Sequence, residues 1–404
     1  MYVERTRLRP YPVPELSLPA QSRWGQMVDD FDHEDASDSR AVRIAITHLA
    51  HEQASALDHL ENAVVSPRSF AASMTNFAEV ASGVAQLASA LDRGTQPLPS
   101  REMTLLFENG DRRAANHAIY DQFFRVTRDD DQSQAAFAGC ILSAYARVLF
   151  DFPYASIARA EILAILRAMV RSLEIIGGDT PSGLTVLPFI SLDPNASPAG
   201  QLSDGWDASD LDPDWMTHVA DHRWISGHHL FFIFSNFCRV SRDRAADALQ
   251  RADHDAVAAA LFDAATFQRA LASAMWYAGD FPPSLYRSHT RPWMTSAGSA
   301  NGFSGSDNVD YADLHTSRAE LTASLFATLG RNAEEWPPQI ERALRTLHEA
   351  EVQHAEHHVL IAARMVGTDA SLVQKRMTRV VFNAVDVLRD MVAEEWTDLS
   401  NRFS

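Results

Sequence analysis

The sequence predicts an all-α protein, with a smaller N-terminal helical domain over 1–130 and a larger C-terminal helical bundle over 131–404. Three observations carry this expectation. Apolar residues recur at helical spacing through most of the chain, alanine is abundant, and few stretches alternate with the period of two that a half-buried strand requires. The 17 glycines and 18 prolines are few for 404 residues and gather in a handful of connectors. A chain of this length is ample for a deep core and for two or three domains.

Taken in order, residues 1–25 read as an extended arm punctuated by proline. Helical periodicity begins near Ala41, continues through Ala71–Leu91, and stops at the connector Asp92–Ser100. An acidic break at Asp129–Gln132 precedes a strongly apolar helical run from Ala135 to Gly177, interrupted once near Asp151–Pro153. Residues 178–215 are rich in Asp, Gly, Pro and Ser and read as a long loop, of the kind that is functional or poorly ordered. Helices follow at His222–Val240, Arg242–Ala260 and Ala264–Ala278. A second loop spans Gly279–Asp310, and two or three helices are expected after it, at Tyr311–Leu329, Pro337–Val366 and Ala370–Asn401.

The charge balance, 35 basic against 53 acidic residues for a net charge of −18, argues against a nucleic-acid partner, because phosphate binding rests on basic patches. No apolar run approaches the roughly 18–20 residues a membrane span needs. The opening MYVERTRLRPYPVPEL lacks the apolar stretch of a signal peptide, so the cytoplasm is the expected compartment. Cys140 and Cys238 are too few for a disulfide framework or a cysteine zinc site and read as core residues. The acidic loop Asp204–Asp214 lacks the closing bidentate Glu of a calcium loop and reads as solvated.

The most informative stretch is Pro337–Gly367, with Pro at its start and Gly at its end. Steps of four and three trace a stripe: Ile340, Leu344, Leu347, Glu351, His354, His358, Ile361, Met365. Its ends are apolar, which marks a buried face, and three polar groups sit in its middle. Burying a carboxylate and two imidazoles costs free energy unless each has a partner. They are satisfied core groups, or they hold a metal or metallocofactor. A carboxylate-bridged di-iron bundle needs a Glu-x-x-His pair on each of two helices; Glu351 and His354 supply one, and the sequence has no second. HEAEVQH has the wrong histidine spacing for a zincin. Haem needs a single neutral imidazole in an otherwise apolar pocket, which suits a domain rich in Phe and Leu.

Four segments together resemble the indoleamine/tryptophan dioxygenase superfamily. They are Phe231-Phe-Ile-Phe-Ser235, the stretch Pro283-Ser-Leu-Tyr-Arg-Ser-His-Thr-Arg291-Pro292-Trp293, the Gly/Ser-rich Ser296–Gly305, and His358-Val-Leu-Ile-Ala-Ala-Arg-Met-Val-Gly367. Their order is similar to the family's distal helix, Arg-Pro segment, substrate loop and proximal helix, and the branch most similar is that of monodechloroaminopyrrolnitrin synthase. The resemblance implies a fold like that of indoleamine 2,3-dioxygenase, haem b as cofactor, O2 as co-substrate, and tryptophan or a related indole amino acid as substrate in specialised metabolism. A homodimer is compatible with it.

Carried over residue by residue, the resemblance makes His358 the axial ligand of the haem iron, with His354 one turn earlier as the alternative. Arg291 would grip the substrate carboxylate through its planar fork. Phe231 and Phe234 would wall the ring, Ser235 would bond oxygen or the substrate amine, and His228 or His229 would serve as distal acid/base. Tyr286 and Trp293 would line the pocket, with Gly302 and Ser304 in the closing loop. Relatives carry an Arg three residues before the axial His, where this chain has Ala355; His357, Arg364, Lys375 or Arg376 would then hold the propionates. Two other readings stand beside this one: a non-haem di-iron oxygenase using Glu351 and His354, and a non-enzymatic helical scaffold or binding protein.

Overall fold

The computed structural model describes residues 16–20, 23–33, 37–62, 84, 112–129, 132–178, 213–296, 308–330 and 335–366. The helix expected at Ala71–Leu91, apart from Val84, the helix expected at Ala370–Asn401, most of the loop 178–215, Gly302, Ser304, Lys375 and Arg376 lie outside the described residues.

The fold is all-α, with one short parallel ribbon. β1 (Leu16–Pro19) pairs with β2 (Val126–Asp129), Leu16 opposite Val126 and Pro19 opposite Asp129. The long helices are α1 (Trp24–His33), α2 (Ser37–Asn62), α3 (Arg112–Phe123), α4 (Gln134–Asp151), α5 (Arg159–Gly177), α6 (Pro213–Gln250), α7 (His254–Ala278), α8 (Val309–Leu329) and α9 (Pro338–Val366). α7 sits in the middle, packed against α5, α6 and α9; α8 covers α6, and α2 covers α5. One apolar core runs from Leu16 and Trp24 through Phe232 and Phe267 to Ile361 and Met365, across position 130. Among the described residues no helix is long and apolar enough to cross a membrane.

Besides α7, which crosses 261–263 without the break expected there, two regions differ from the sequence expectation. α6 runs unbroken for 38 residues, where a break was expected after Val240. The polar run Ser241-Arg242-Asp243 looks like a stop only while its partners are unknown. Ser241 bonds back to the Phe237 carbonyl at 2.8 Å and Arg242 reaches the Leu314 carbonyl at 2.8 Å, so the helix continues buried. The break comes instead at 251–253, where Ala252 takes a left-handed φ of 55° and the Asp253 side chain caps the Ala256 N–H at 3.1 Å. So short a connection makes α6 and α7 antiparallel neighbours. Gly227 of α6 accordingly lies against Ala278 at the end of α7, so closely that a Cβ there would meet the Ala278 Cβ at 2.5 Å.

The second difference is in the expected loop 279–310, whose first half is helical. A turn at Pro283–Leu285 leads into a π-turn at Tyr286–Thr290 and a short helix at Arg291–Ser296. Pro292 has no N–H to donate and crowds the carbonyl four residues back. The Arg291 N–H bonds the Tyr286 carbonyl, five residues back, which is the widened pattern of a π-turn.

Candidate active site

Buried ion pairs fix the elements around the histidine stripe. Arg128 of β2 forks onto Asp121 of α3, with both bonds at 3.0 Å, and onto Asp310 of α8 at 3.0 and 2.7 Å. Asn236 of α6 donates to the same Asp310 at 2.7 Å. The Asn308 side chain caps the first turn of α8 at the Tyr311 N–H, at 3.1 Å. The start of α8, and with it Tyr311, is therefore held against α6. The turn after α7 is clamped from two sides. Arg223 bonds Asp151 at 2.7 Å and Asp280 at 2.8 Å, while Arg364 of α9 donates to the Gly279 carbonyl at 2.6 Å and the Phe281 carbonyl at 3.3 Å.

On α9 the ends of the stripe are core: Ile340, Leu347, Ile361 and Met365 are buried. His354, in its middle, is buried too. The Gln268 side-chain amide meets its Nδ1 at 2.9 Å, and the rings of Phe231 and Tyr311 stand 6.0 and 5.9 Å from it. Burial lowers its pKa to about 3, helped by the nearby His358, His357 and His315, so the imidazole is neutral. His357 accepts the Trp276 indole N–H on Nδ1 at 2.9 Å and is fully enclosed. Its Nε2 is buried with no hydrogen-bond partner.

His358 differs. Its side chain is exposed, yet the surrounding protein lowers its pKa by burial. Both facts fit a ring that lines an inward cleft, deep in the fold without being covered by it. His315 of α8 joins the same space, edge-on to Tyr311 at 4.5 Å.

Glu351 does not face this cleft as a free ligand. Arg242 holds one carboxylate oxygen at 2.7 Å and Arg318 lies 3.4 Å from the other. Among the described residues no group of three or more His, Cys, Asp or Glu gathers to hold a metal ion. Among the described residues the di-iron alternative thus lacks the bridging carboxylates it needs, and Glu351 serves instead to neutralise two guanidinium groups. The donors that remain, neutral imidazoles beside aromatic rings, fit haem, which asks for one such nitrogen and an apolar surround. Of the residues expected to hold propionates, His357 is taken by Trp276 and Arg364 by the turn carbonyls.

The α6 residues divide. Phe231 faces His354 and Tyr311, but Phe234 is enclosed between Tyr145 and Phe267, at 6.2 and 6.3 Å. Ser235 is fully buried and its Oγ has no hydrogen-bond partner. His229 bonds the Phe124 carbonyl through Nε2 at 2.6 Å, with Arg147 Nη2 3.4 Å from its Nδ1. His228 bonds the Trp224 carbonyl through Nδ1 at 2.7 Å and stacks on Phe124 at 4.0 Å. Burial lowers the His228 pKa to about 4 and holds that of His229 well below its usual value.

The 286–293 segment closes another side. Tyr286 is buried 5.5 Å from Trp224, and the charge of the buried Arg291 acts on its phenol. Trp293 lies 4.5 Å from Phe123 and stacks at 6.2 Å on His289, which pairs with Asp221 at 2.8 Å. Sequence reasoning missed Gln268, Trp224, Phe124, Tyr311 and His315. Each looks like an ordinary helix residue until α3, α7 and α8 are packed against α6 and α9.

Fold and site together define an all-helical protein with a row of neutral histidines beside an aromatic cleft. The sequence assigns it more narrowly: the model of the SfmD 3-methyl-L-tyrosine peroxygenase family matches residues 50–343, and the chain belongs to that family. It is thus a member of a family of oxidative enzymes, which sets aside the scaffold reading. Among solved structures, that of SfmD reduced with sodium hydrosulfite is similar at 17% identity and a TM-score of 0.46, covering 85% of this chain and 97% of that one. No curated protein matches the chain.

Proposed function

We propose that this chain is a haem-dependent oxygenase of an aromatic amino acid, with His354 as the axial ligand. The observation that carries the reading is the contact between Gln268 and His354 Nδ1 at 2.9 Å. A metal-binding imidazole is generally held by a partner on its other nitrogen, which fixes the ring. Gln268 sits at Nδ1 and fixes the ring; its amide presents N–H there while Arg242 holds its oxygen, so iron at Nε2 goes with the amide turned over to accept from Nδ1–H. His358, the first choice from the sequence, has no such partner among the described residues and lines the cleft one turn further on.

Haem, when bound, supplies the oxidising iron. The chain's own residues bind and orient. Phe231 and Tyr311 flank the His354 ring and exclude water from it. Arg291 offers two parallel N–H donors to a carboxylate, worth about 1.5–3 kcal/mol as a charged hydrogen bond. Tyr286 and Trp293 contribute aromatic walls, and Gly302 and Ser304 belong to the closing loop of this reading.

The peroxygenase activity for which the family is named favours a phenolic amino acid and a peroxide co-substrate over the tryptophan and O2 implied by the wider resemblance. Kinship with the monodechloroaminopyrrolnitrin synthase branch and a role in specialised metabolism in the cytoplasm rest on that resemblance alone.

The test is an ultraviolet–visible spectrum of protein expressed with a haem precursor, before and after dithionite. The expected result is a Soret band that shifts on reduction and again on adding L-tyrosine, with turnover supported by hydrogen peroxide. A shift with L-tryptophan instead, and turnover with O2 and reductant, would favour the indole dioxygenase. Folded, haem-supplied protein without a Soret band overturns the proposal.

A further inference from the structure

His228 and His229 are adjacent, both buried and both neutral, yet their free atoms differ. A backbone carbonyl can only accept, so a ring nitrogen bonded to one must carry the proton. In His229 that nitrogen is Nε2, held by the Phe124 carbonyl, and Nδ1 faces a guanidinium donor. Both nitrogens are used, and His229 ties α6 to the end of α3.

In His228 the protonated nitrogen is Nδ1, donated to the Trp224 carbonyl one turn back on the same helix. Nε2 therefore holds the lone pair and, across the ring, points away from α6. No described residue bonds it. The ring cannot swivel easily, because Phe124 stacks on it at 4.0 Å and 19°, and Trp224 packs beside it at 4.5 Å.

The position of this lone pair is specific. Trp224, His228 and Phe231 follow one face of α6 at steps of four and three. At one end of that face Phe231 stands 6.0 Å from His354. At the other Trp224 stands 5.5 Å from Tyr286, beside Arg291. His228 thus lies between the carboxylate-binding candidate and the imidazole row.

We propose that His228 recognises the ring hydroxyl of the substrate, its Nε2 accepting the phenol O–H. The proposal rests on the cleft being an aromatic amino-acid site and adds what selects among such amino acids. Burial keeps the imidazole unprotonated at neutral pH, so the acceptor is always available. A phenyl ring in the same place would leave the lone pair buried and unpaired, and polar sites of that kind reject the analogue lacking the hydroxyl.

The test is titration of the haem-loaded full chain with L-tyrosine and with L-phenylalanine, followed by the haem absorbance change and by calorimetry. The wild type should prefer tyrosine by about 10–100-fold. His228→Phe should abolish that preference while leaving phenylalanine affinity within about threefold, and His228→Gln, which restores an acceptor, should recover part of it. A preference that survives His228→Phe overturns the proposal, as do equal affinities in the wild type, which decide the matter even if the Phe variant does not fold. Binding of neither amino acid is a separate outcome, which overturns the aromatic amino-acid reading and this proposal with it.

Discussion

Gln268 of α7 and His354 of α9 meet at 2.9 Å in the core, and the same amide reaches Arg242 of α6 at 3.2 Å through its oxygen. One side chain thereby links three helices. With its oxygen taken by the Arg242 donor, the amide presents N–H2 to the imidazole, so His354 Nδ1 accepts here, and a ring protonated on Nδ1 needs the amide turned over.

It follows that Gln268 tunes iron binding without touching the iron. Gln268→Leu should weaken haem affinity about 10–100-fold, the usual cost of losing a partner behind a metal-bound histidine. His354→Ala should abolish haem retention and His358→Ala should not, with His315→Ala as the third imidazole of the cleft. Haem titration of the apoproteins measures all four. Retention in His354→Ala with loss in His358→Ala moves the ligand one turn along α9.

Arg291→Ala should weaken binding of amino-acid substrates about 10–100-fold, the equivalent of one charged hydrogen bond, and leave the Soret band in place. Ligand titration beside an absorbance spectrum distinguishes the roles. If the haem is lost instead, Arg291 serves the propionates.

Gly227→Ala should destabilise the fold by about 1–3 kcal/mol through overpacking. Its Cβ would sit 2.5 Å from the Ala278 Cβ and 2.7 and 2.8 Å from the Ala278 backbone, which cannot rotate away. Gly25→Ala, in open space on α1, is the control and should be neutral or stabilising by up to about 1 kcal/mol. Urea denaturation of both variants checks the pair.

Two opposite pH effects act on stability. Burial lowers the pKa of His228 and His357 to about 4 and of His354 to about 3, from an ordinary 6.5. Between those values the unfolded chain binds protons that the folded one does not, so their contribution is full above 6.5 and falls as the pH drops toward 4. Glu161, bonded to Ser273 at 2.5 Å, runs the other way: burial raises its pKa from 4.5 to about 7. The folded state then holds the extra proton, and stability is lost as the pH rises from 4.5 to 7. Glu161→Gln should therefore stabilise the protein relative to wild type by an amount that grows over that window and levels above it. A flat difference across pH 4.5–8 would show that Glu161 does not titrate in the folded state.

The sequence by itself determined the helical class and the buried face of α9, because a 3.6-residue period and the cost of burying polar groups act locally along the chain. The order of four segments also put Phe231 and Arg291 forward as candidates for one site. Only the tertiary structure decided which polar groups have partners. The run Ser241–Asp243 looks like a helix end, and Glu351 like a metal ligand, until Leu314, Arg242 and Arg318 are brought to them. His228 and His229 are alike in sequence, and the carbonyl each one meets sets which nitrogen keeps a lone pair. Hydrogen-bond partners more than 100 residues away, such as Phe124 for His229, have no local signature. The periodicity that builds a helix does not say what will stand opposite it.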